Sequence, residues 1–465
     1  VKEDVSAASG SKSGAPLLRV LGAGSITAIV VGTMIGSGIF IVPATVASHV
    51  GAPLLIIAVW VAGGLFSIFG ALSLAEPASA YSQSGGIYVY LREAYGPLAG
   101  FLFGWTQFLV IDSGSVAALA VAFGSKYLPY FLPISPLGSK AAAAALIILL
   151  ATVNYLGVKR GAFVQNFLTT IKFAALFGVG AVVLLFAKGS TANFVAPPPS
   201  GGGLVGRFGL GLVAALWAYK GFETATFNAG ETKNPARNLP LGILAGSGVV
   251  IVLYLLANAA YLYAIPAGRM AGSDRIAADA MNAAVGPVGA SIISFIILLS
   301  IAGAANAHIL TGPRVYFAMA TDRLFFKKMA SVHPRFRTPH VSILVVGAWA
   351  LFLSLSGSFE QLLTYVVFGH WIFMGLAVSS VIILRAKRPN LARPYRALGY
   401  PVTPVLFILA AVFVTVNALI NAFWNSFAGL AIILLGIPAY LYWRGKSGGG
   451  LEKKGAALPE EPPLR

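Results

Sequence analysis

Val31-Gly32-Thr33-Met34-Ile35-Gly36-Ser37-Gly38-Ile39-Phe40 is the stretch on which the reading of this chain turns. It lies inside an apolar run long enough to cross a membrane, yet three glycines and a serine crowd it. Glycine weakens a helix, and four helix-weakening residues together predict a break. A broken helix in a bilayer exposes amides and carbonyls, which is tolerated only where they line a cavity or meet a ligand. In that reading the amides of Gly36, Ser37 and Gly38 head a second half-helix, whose dipole favours an anion such as a carboxylate. A competing reading makes Gly32 and Gly36 a GxxxG packing face against another helix. The stretch alone leaves both open.

The rest of the chain sets the context. Of 465 residues, 58% are hydrophobic and only 10% charged, with a mean hydropathy of +0.84. Apolar runs of roughly 20 residues, the length that spans a bilayer, recur throughout. About twelve are expected, near 20–47, 53–76, 97–123, 140–157, 162–187, 205–230, 240–265, 287–320, 340–356, 361–385, 403–422 and 426–443. This is the pattern of an all-α polytopic membrane protein. The ends, 1–17 and 445–465, are polar and rich in Gly, Ser and Pro, and are expected to be disordered tails.

The net charge of +18 is a topology signal and does not indicate nucleic acid. With twelve spans, the tails and the even-numbered connections share one side. That side holds most of the basic residues, among them Arg92, Lys159, Arg160, Lys233, Arg237, Arg314, Arg323, Arg335, Arg385, Arg393 and Arg396. The opposite side has only Lys126, Lys140, Lys188, Arg207, Arg269 and Arg275. The positive-inside rule then puts both termini in the cytoplasm and the chain in the cytoplasmic membrane. The start does not resemble a cleavable signal, so the first span is expected to direct insertion. There is no cysteine, and the five histidines (49, 308, 333, 340 and 370) show no ligand spacing, so neither metal nor cofactor is expected.

Ionisable residues inside the spans are the candidates for function. Asp112 sits near mid-depth in the third span, where a carboxylate costs about 2.5–3.5 kcal/mol on insertion scales and needs a partner. It either works in transport or ties helices together through Ser113 or Ser115. Lys172 lies about eight residues into the fifth span, roughly 12 Å deep at 1.5 Å per residue. It either snorkels to the interface or stays inside, where an ammonium near broken-helix carbonyls does the work of a bound sodium ion. If desolvation lowers its pKa, it also becomes a proton donor. The sixth span repeats the anomaly of the first: Trp217-Ala218-Tyr219-Lys220-Gly221-Phe222-Glu223 sets a glycine between two ionisable groups. Lys220 and Glu223 either pair on one helix face or are separated by unwinding at Gly221. Two interrupted spans, five apart, are the pointer to an inverted-repeat transporter with its site at their crossing. Ser300, Gly303, Asn306 and Thr311 form a polar stripe in the eighth span.

Together these stretches resemble the amino acid–polyamine–organocation superfamily of secondary transporters, in the bacterial branch related to the L-type amino acid transporters. The resemblance is carried by GSGIF (Gly36 to Phe40), AYKGFE (Ala218 to Glu223), the ExxNPxRNLP run from Glu231 to Pro240, TGPRVYFAMATDR after the eighth span, RFRTPH, and RPYRALGYPVTP. It covers residues 18–444, with the motifs in order at the corresponding spans. It implies a leucine-transporter-like 5+5 inverted repeat of twelve transmembrane helices, with helices 1 and 6 broken. The repeats would be 18–187 and 205–385, followed by two further helices within 386–444.

The resemblance implies a substrate site of Met34, Ile35, Gly36, Ser37, Gly38, Trp217, Ala218, Lys220 and Gly221. The amides of Ser37 and Gly38 would hold a carboxylate; carbonyls near Met34, Trp217 and Lys220 would take an α-ammonium. Lys172, Asp112, Ser300 and Glu223 are assigned to coupling or gating, with a Lys172–Asp112 pair as a hypothesis. Lys220 departs from the family pattern, where that position is often uncharged, and would repel cationic substrates. The expected function is transport of a small neutral L-amino acid by alternating access, independent of sodium, as proton symporter or exchanger. The alternative is a cationic amino acid or polyamine antiporter with Glu223 and Asp112 as counter-charges. An enzyme is not expected, since there is no HExxH or paired-aspartate motif. A channel would want rings of charge along a continuous pore. Expected partners are the amino acid, the lipid bilayer and, as a candidate coupling ion, the proton; oligomeric state is left open.

Overall fold

The computed structural model describes residues 17–195, 203–356, 359–421 and 423–446. Apart from Leu17, Gly445 and Lys446, the two expected tails lie outside them. The described residues are helical almost throughout, because a backbone in hydrocarbon must satisfy its own hydrogen bonds. In chain order the α-helices are α1 (Ala23–Met34), α2 (Gly38–Val50), α3 (Pro53–Ala80), α4 (Ile87–Tyr95), α5 (Pro97–Thr106), α6 (Asp112–Ala122), α7 (Pro136–Tyr155), α8 (Val158–Phe186), α9 (Leu204–Ala218), α10 (Pro235–Ala264), α11 (Ala267–Met270), α12 (Ile276–Thr311), α13 (Pro313–Thr321), α14 (His340–Ser356), α15 (Phe359–Lys387), α16 (Val402–Asn421) and α17 (Phe423–Lys446). Proline stands in the first turn of α3, α5, α7, α10 and α13, where its missing N–H leaves no bond unmade.

Among the described residues nine helices are long and apolar enough to cross a membrane, and α1 with α2, bent by 44°, makes a tenth. The chain is therefore an all-α polytopic membrane protein. Two of the twelve expected spans fall short of that test for different reasons. α14 has only 17 residues. The sixth span is α9 followed, after a break at residues 219–221, by a 3-10 helix over Phe222–Glu231. The eighth span is longer than expected: α12 starts at Ile276 and kinks at Val285 and Gly286. The third carries a π-turn, Gln107–Ile111, directly before Asp112, a distortion that turns the following side chains out of the ordinary helical register.

Large apolar side chains such as Leu54, Phe163, Phe167, Leu185 and Trp424 are exposed, as expected for a surface that meets lipid tails. The interior, by contrast, holds the polar groups. α8 packs on α12 and on α1, and α10 packs on α1 and α3. A chain of side-chain hydrogen bonds stitches four helices: Asn154 to Asn306, Asn306 to Gln165, Gln165 to Thr169, and Thr169 to the Ala28 carbonyl.

The basic connections gather at one end of the bundle. Arg314 donates two bonds to Glu231 at 2.7 and 2.9 Å, Arg385 holds Glu76 in the same fork geometry, and Arg92 pairs with Asp322. The amides of Val20 and Leu21 donate to the Glu231 carbonyl, so the start of the described chain is tied to the same end.

Candidate functional site

The last carbonyls of α1 are the ones a continuous helix would have satisfied, and each can be followed to its new partner. The amide of Ile35 still reaches Val31. The carbonyls of Gly32 and Ile35 each accept from Lys172 Nζ at 2.7 Å. Ser300 Oγ adds longer bonds to Ile35 (3.4 Å) and Gly36 (3.3 Å). Met34 accepts from the Gly36 amide at 2.9 Å and from Tyr254 Oη at 2.8 Å. Lys172 is fully buried, so the snorkelling reading is wrong: its ammonium lies across the negative end of α1, where a cation is favoured. The GxxxG alternative is also partly right, because a Cβ on Gly32 would fall 1.9 Å from Gln165 Nε2 on α8. Gly32 packs, while Gly36 and Gly38 sit at the break.

The first amides of α2 point the other way. The Gly36 N–H is spent on Met34, which narrows the expected anion site to Ser37 and Gly38, whose N–H groups have no hydrogen-bond acceptor among the described residues. Met34 is likewise a poor acceptor for a substrate ammonium, since Tyr254 and Gly36 already occupy its carbonyl. At the first break the Thr33 carbonyl is the one without a donor.

The sixth-span break lies against the first. Gly221 has φ +122°, a conformation side chains avoid, and a Cβ there would stand 3.0 Å from Thr33 Cγ2 and 3.1 Å from the Thr33 carbonyl carbon. Tyr254 bridges the two breaks, donating to Met34 at 2.8 Å and Ala218 at 3.1 Å. Glu223 folds back to accept the Gly221 amide at 3.0 Å and lies 3.8 Å from His370 Nδ1. Lys220 does not pair with Glu223; its Nζ donates to Ser115 Oγ at 3.2 Å. The unwinding at Gly221 explains this, because it removes the helical register that would have stacked the two side chains. Trp217 accepts the Lys220 amide, while the Lys220 carbonyl has no donor among the described residues.

Asp112 is completely buried, and its partner is His308 Nδ1 at 2.8 Å from Oδ1. Neither the Lys172–Asp112 pair nor the bond to Ser113 or Ser115 forms. Lys172 is committed to the α1 carbonyls, and Ser115 donates to Ile111. A cavity of about 70 Å³ opens where these pieces meet, lined by Thr33, Ser37, Gly38, Trp217, Lys220 and His308, with other residues of α6, α12 and α15. Of the residues expected from sequence, Met34, Gly36, Ser37, Gly38, Trp217, Ala218, Lys220 and Gly221 border it. Ile35, Lys172, Ser300, Glu223 and Asp112 lie behind its walls. Larger hollows open at the two ends of the bundle. One of about 400 Å³ lies beside Arg92 and Asp322 at the basic end, and one of about 760 Å³ runs along Ile41, Thr45 and Ser48 of α2 at the other.

Tyr254, His308 and His370 were not anticipated. His308 and His370 carried a usable signal, since an ionisable group inside a span is a functional candidate by default. Tyr254 carried none, being one tyrosine in an apolar helix.

Two broken helices meeting at a small cavity, with hollows toward both ends and a buried ammonium on the carbonyls of the first break, are the arrangement of a secondary transporter rather than a pore. The amino acid permease family matches residues 21–437, and the chain belongs to that family. It is similar to the human b(0,+)-type amino acid transporter 1, with 34% identity over 91% of this chain and 88% of the relative. It is also similar to the serine/threonine exchanger SteT of Bacillus subtilis (strain 168), 33% over 89% of this chain and 94% of the relative. The human cystine/glutamate transporter is 30% identical over 89% and 82%. The protein is thus a membrane-embedded secondary transporter of amino acids, and not an enzyme.

Proposed function

We propose that the chain carries small neutral L-amino acids across the cytoplasmic membrane by alternating access, without sodium. The observation that carries this is the cavity into which both helix breaks open. On this reading the substrate carboxylate sits on the amides of Ser37 and Gly38 at the positive end of α2. Its ammonium sits on the free carbonyls of Thr33 and Lys220, with Trp217 closing the side. Lys172 supplies the positive charge that a bound sodium ion would otherwise supply. The cavity, about 70 Å³, favours a substrate with a small side chain.

Among the relatives, the serine/threonine exchanger favours small neutral substrates. The cationic or polyamine reading is the weaker one: Lys220 lines the cavity and would repel a second positive charge, and a polyamine has no carboxylate for the α2 amides. The finer architecture belongs to the same proposal: twelve spans counting α14 and the broken sixth, repeats at 18–187 and 205–385, a further pair within 386–444, and the basic end with both termini in the cytoplasm.

A thermal-shift panel on the purified protein tests the substrate, with the common L-amino acids, agmatine and putrescine. A ligand at 100 times its Kd adds about 2.7 kcal/mol of stability. Small neutral amino acids should stabilise and amines without a carboxylate should not. The opposite pattern would move Glu223 and Asp112 to the centre and overturn the assignment.

A further inference from the structure

Five ionisable side chains gather in and behind one wall of the cavity. They are Asp112 on α6, Lys220 and Glu223 around the sixth-span break, His308 on α12 and His370 on α15. Asp112, Lys220 and Glu223 lie within electrostatic reach of one another, and His308 with Lys220 faces His370. Tyr316 on α13 is the remaining titratable neighbour of Asp112. Lys172 on α8 is bound to the α1 carbonyls, and Arg314 on α13 is held by Glu231. No three of the His, Asp and Glu side chains among the described residues are close enough to hold a metal ion.

The cluster is not balanced as it stands. Two carboxylates and one ammonium leave one formal negative charge within the cluster, while the buried Lys172 ammonium stands outside it on neutral carbonyls. Uptake of one proton would neutralise it, and the geometry indicates where. Glu223 already accepts the Gly221 amide. Asp112 Oδ1 takes His308 Nδ1, while its Oδ2 is buried and the Tyr316 hydroxyl is the remaining polar neighbour of the carboxylate. With Nδ1–H donating to the carboxylate, the lone pair of His308 is on Nε2, which makes no hydrogen bond among the described residues, and His308 itself lines the cavity. Space is committed to this arrangement, because a Cβ on Gly312 would fall 1.6 Å from Asp112 Oδ2.

We infer that the His308–Asp112 pair is a proton-binding site beside the substrate cavity, and that a proton taken up there travels with the amino acid. A proton from water adds to His308 Nε2, giving an imidazolium held by the Asp112 carboxylate. It returns to water on the far side when the cavity opens there. The inference rests on the substrate reading above, and it makes the protein a symporter through a pair distinct from Lys172.

The full chain in liposomes loaded with the pH dye pyranine tests it, using whichever of L-alanine, L-serine and L-threonine shows counterflow. The expected result is lumen acidification with amino acid uptake, faster when the outside is acid. Protons moved per amino acid should fall to the background in both Asp112→Asn and His308→Gln, whatever uptake rate each retains. Net amino acid uptake in the wild type without proton movement, or counterflow with no net uptake at all, overturns the inference and leaves the substrate reading standing; so does a ratio unchanged in both variants. No counterflow for any amino acid overturns the substrate reading and the inference with it. Should the variants fail to fold, infrared spectra of the wild type with labelled aspartate replace them, since Asp112 is the one buried aspartate among the described residues. A carboxylate band that shifts as the pH is lowered supports the pair. A band that stays fixed overturns it.

Discussion

Removing the Lys172 ammonium is the perturbation with the most to say about the first break. Its Nζ makes two bonds of 2.7 Å, to the carbonyls of Gly32 and Ile35. In Lys172→Ala the Gly32 carbonyl loses its donor, and Ile35 keeps only Ser300 at 3.4 Å. An orphaned buried acceptor costs about 1–3 kcal/mol, so the two together should cost about 2–4 kcal/mol. The lost charge also leaves the negative end of α1 without its cation. The loss should appear as a lower melting temperature in detergent, with weakened amino acid binding, because the same carbonyls fix the orientation of α2. The deletion leaves a slot shaped for a short ammonium, so ethylammonium should restore stability in the variant and have no effect on the wild type. A variant as stable as wild type, or one that no amine and no sodium rescues, would refute the idea that this ammonium replaces a bound cation. Uptake that strictly requires sodium and survives Lys172→Ala unchanged would refute it as well.

Three further outcomes follow from the geometry. Tyr254→Phe removes the donor that joins Met34 to Ala218 and should cost about 1–2 kcal/mol; a thermal scan with no shift would show that the bridge is dispensable. Gly221→Ala should cost about 1–3 kcal/mol of backbone strain, with further crowding of Thr33, and transport should fall more steeply than expression; normal transport would mean the sixth-span break is not where it is described. Arg314→Met leaves the Glu231 carboxylate buried without a counter-charge, with only the Asn228 amide donating to it, which should cost about 3–5 kcal/mol, while adding Glu231→Leu should recover much of it. If the double variant is no better than the single one, the pair is not the source of the loss.

The two helix breaks were legible in the sequence because helix weakness is local. Gly36, Ser37, Gly38 and Gly221 weaken their spans at those points, although Gly63 and Gly64 stay helical within α3. The interior placement of Lys172 was one of the two readings that its depth in an apolar run allowed, and its burial decided between them. The basic connections were legible as a set for the same reason, since charge accumulates by segment. What the tertiary structure alone decided was partnership. Asp112 meets His308, 196 residues away, and not Lys172. Lys220 reaches Ser115 and not Glu223, and Tyr254 ties together two breaks that no pattern connects to it. In a soluble helix the apolar stripe reports which face is buried. In a bilayer both faces are apolar, so the periodicity that would tell which side chains look inward is largely erased. Which polar groups meet then depends on how the helices turn toward one another, and that is settled only when they pack.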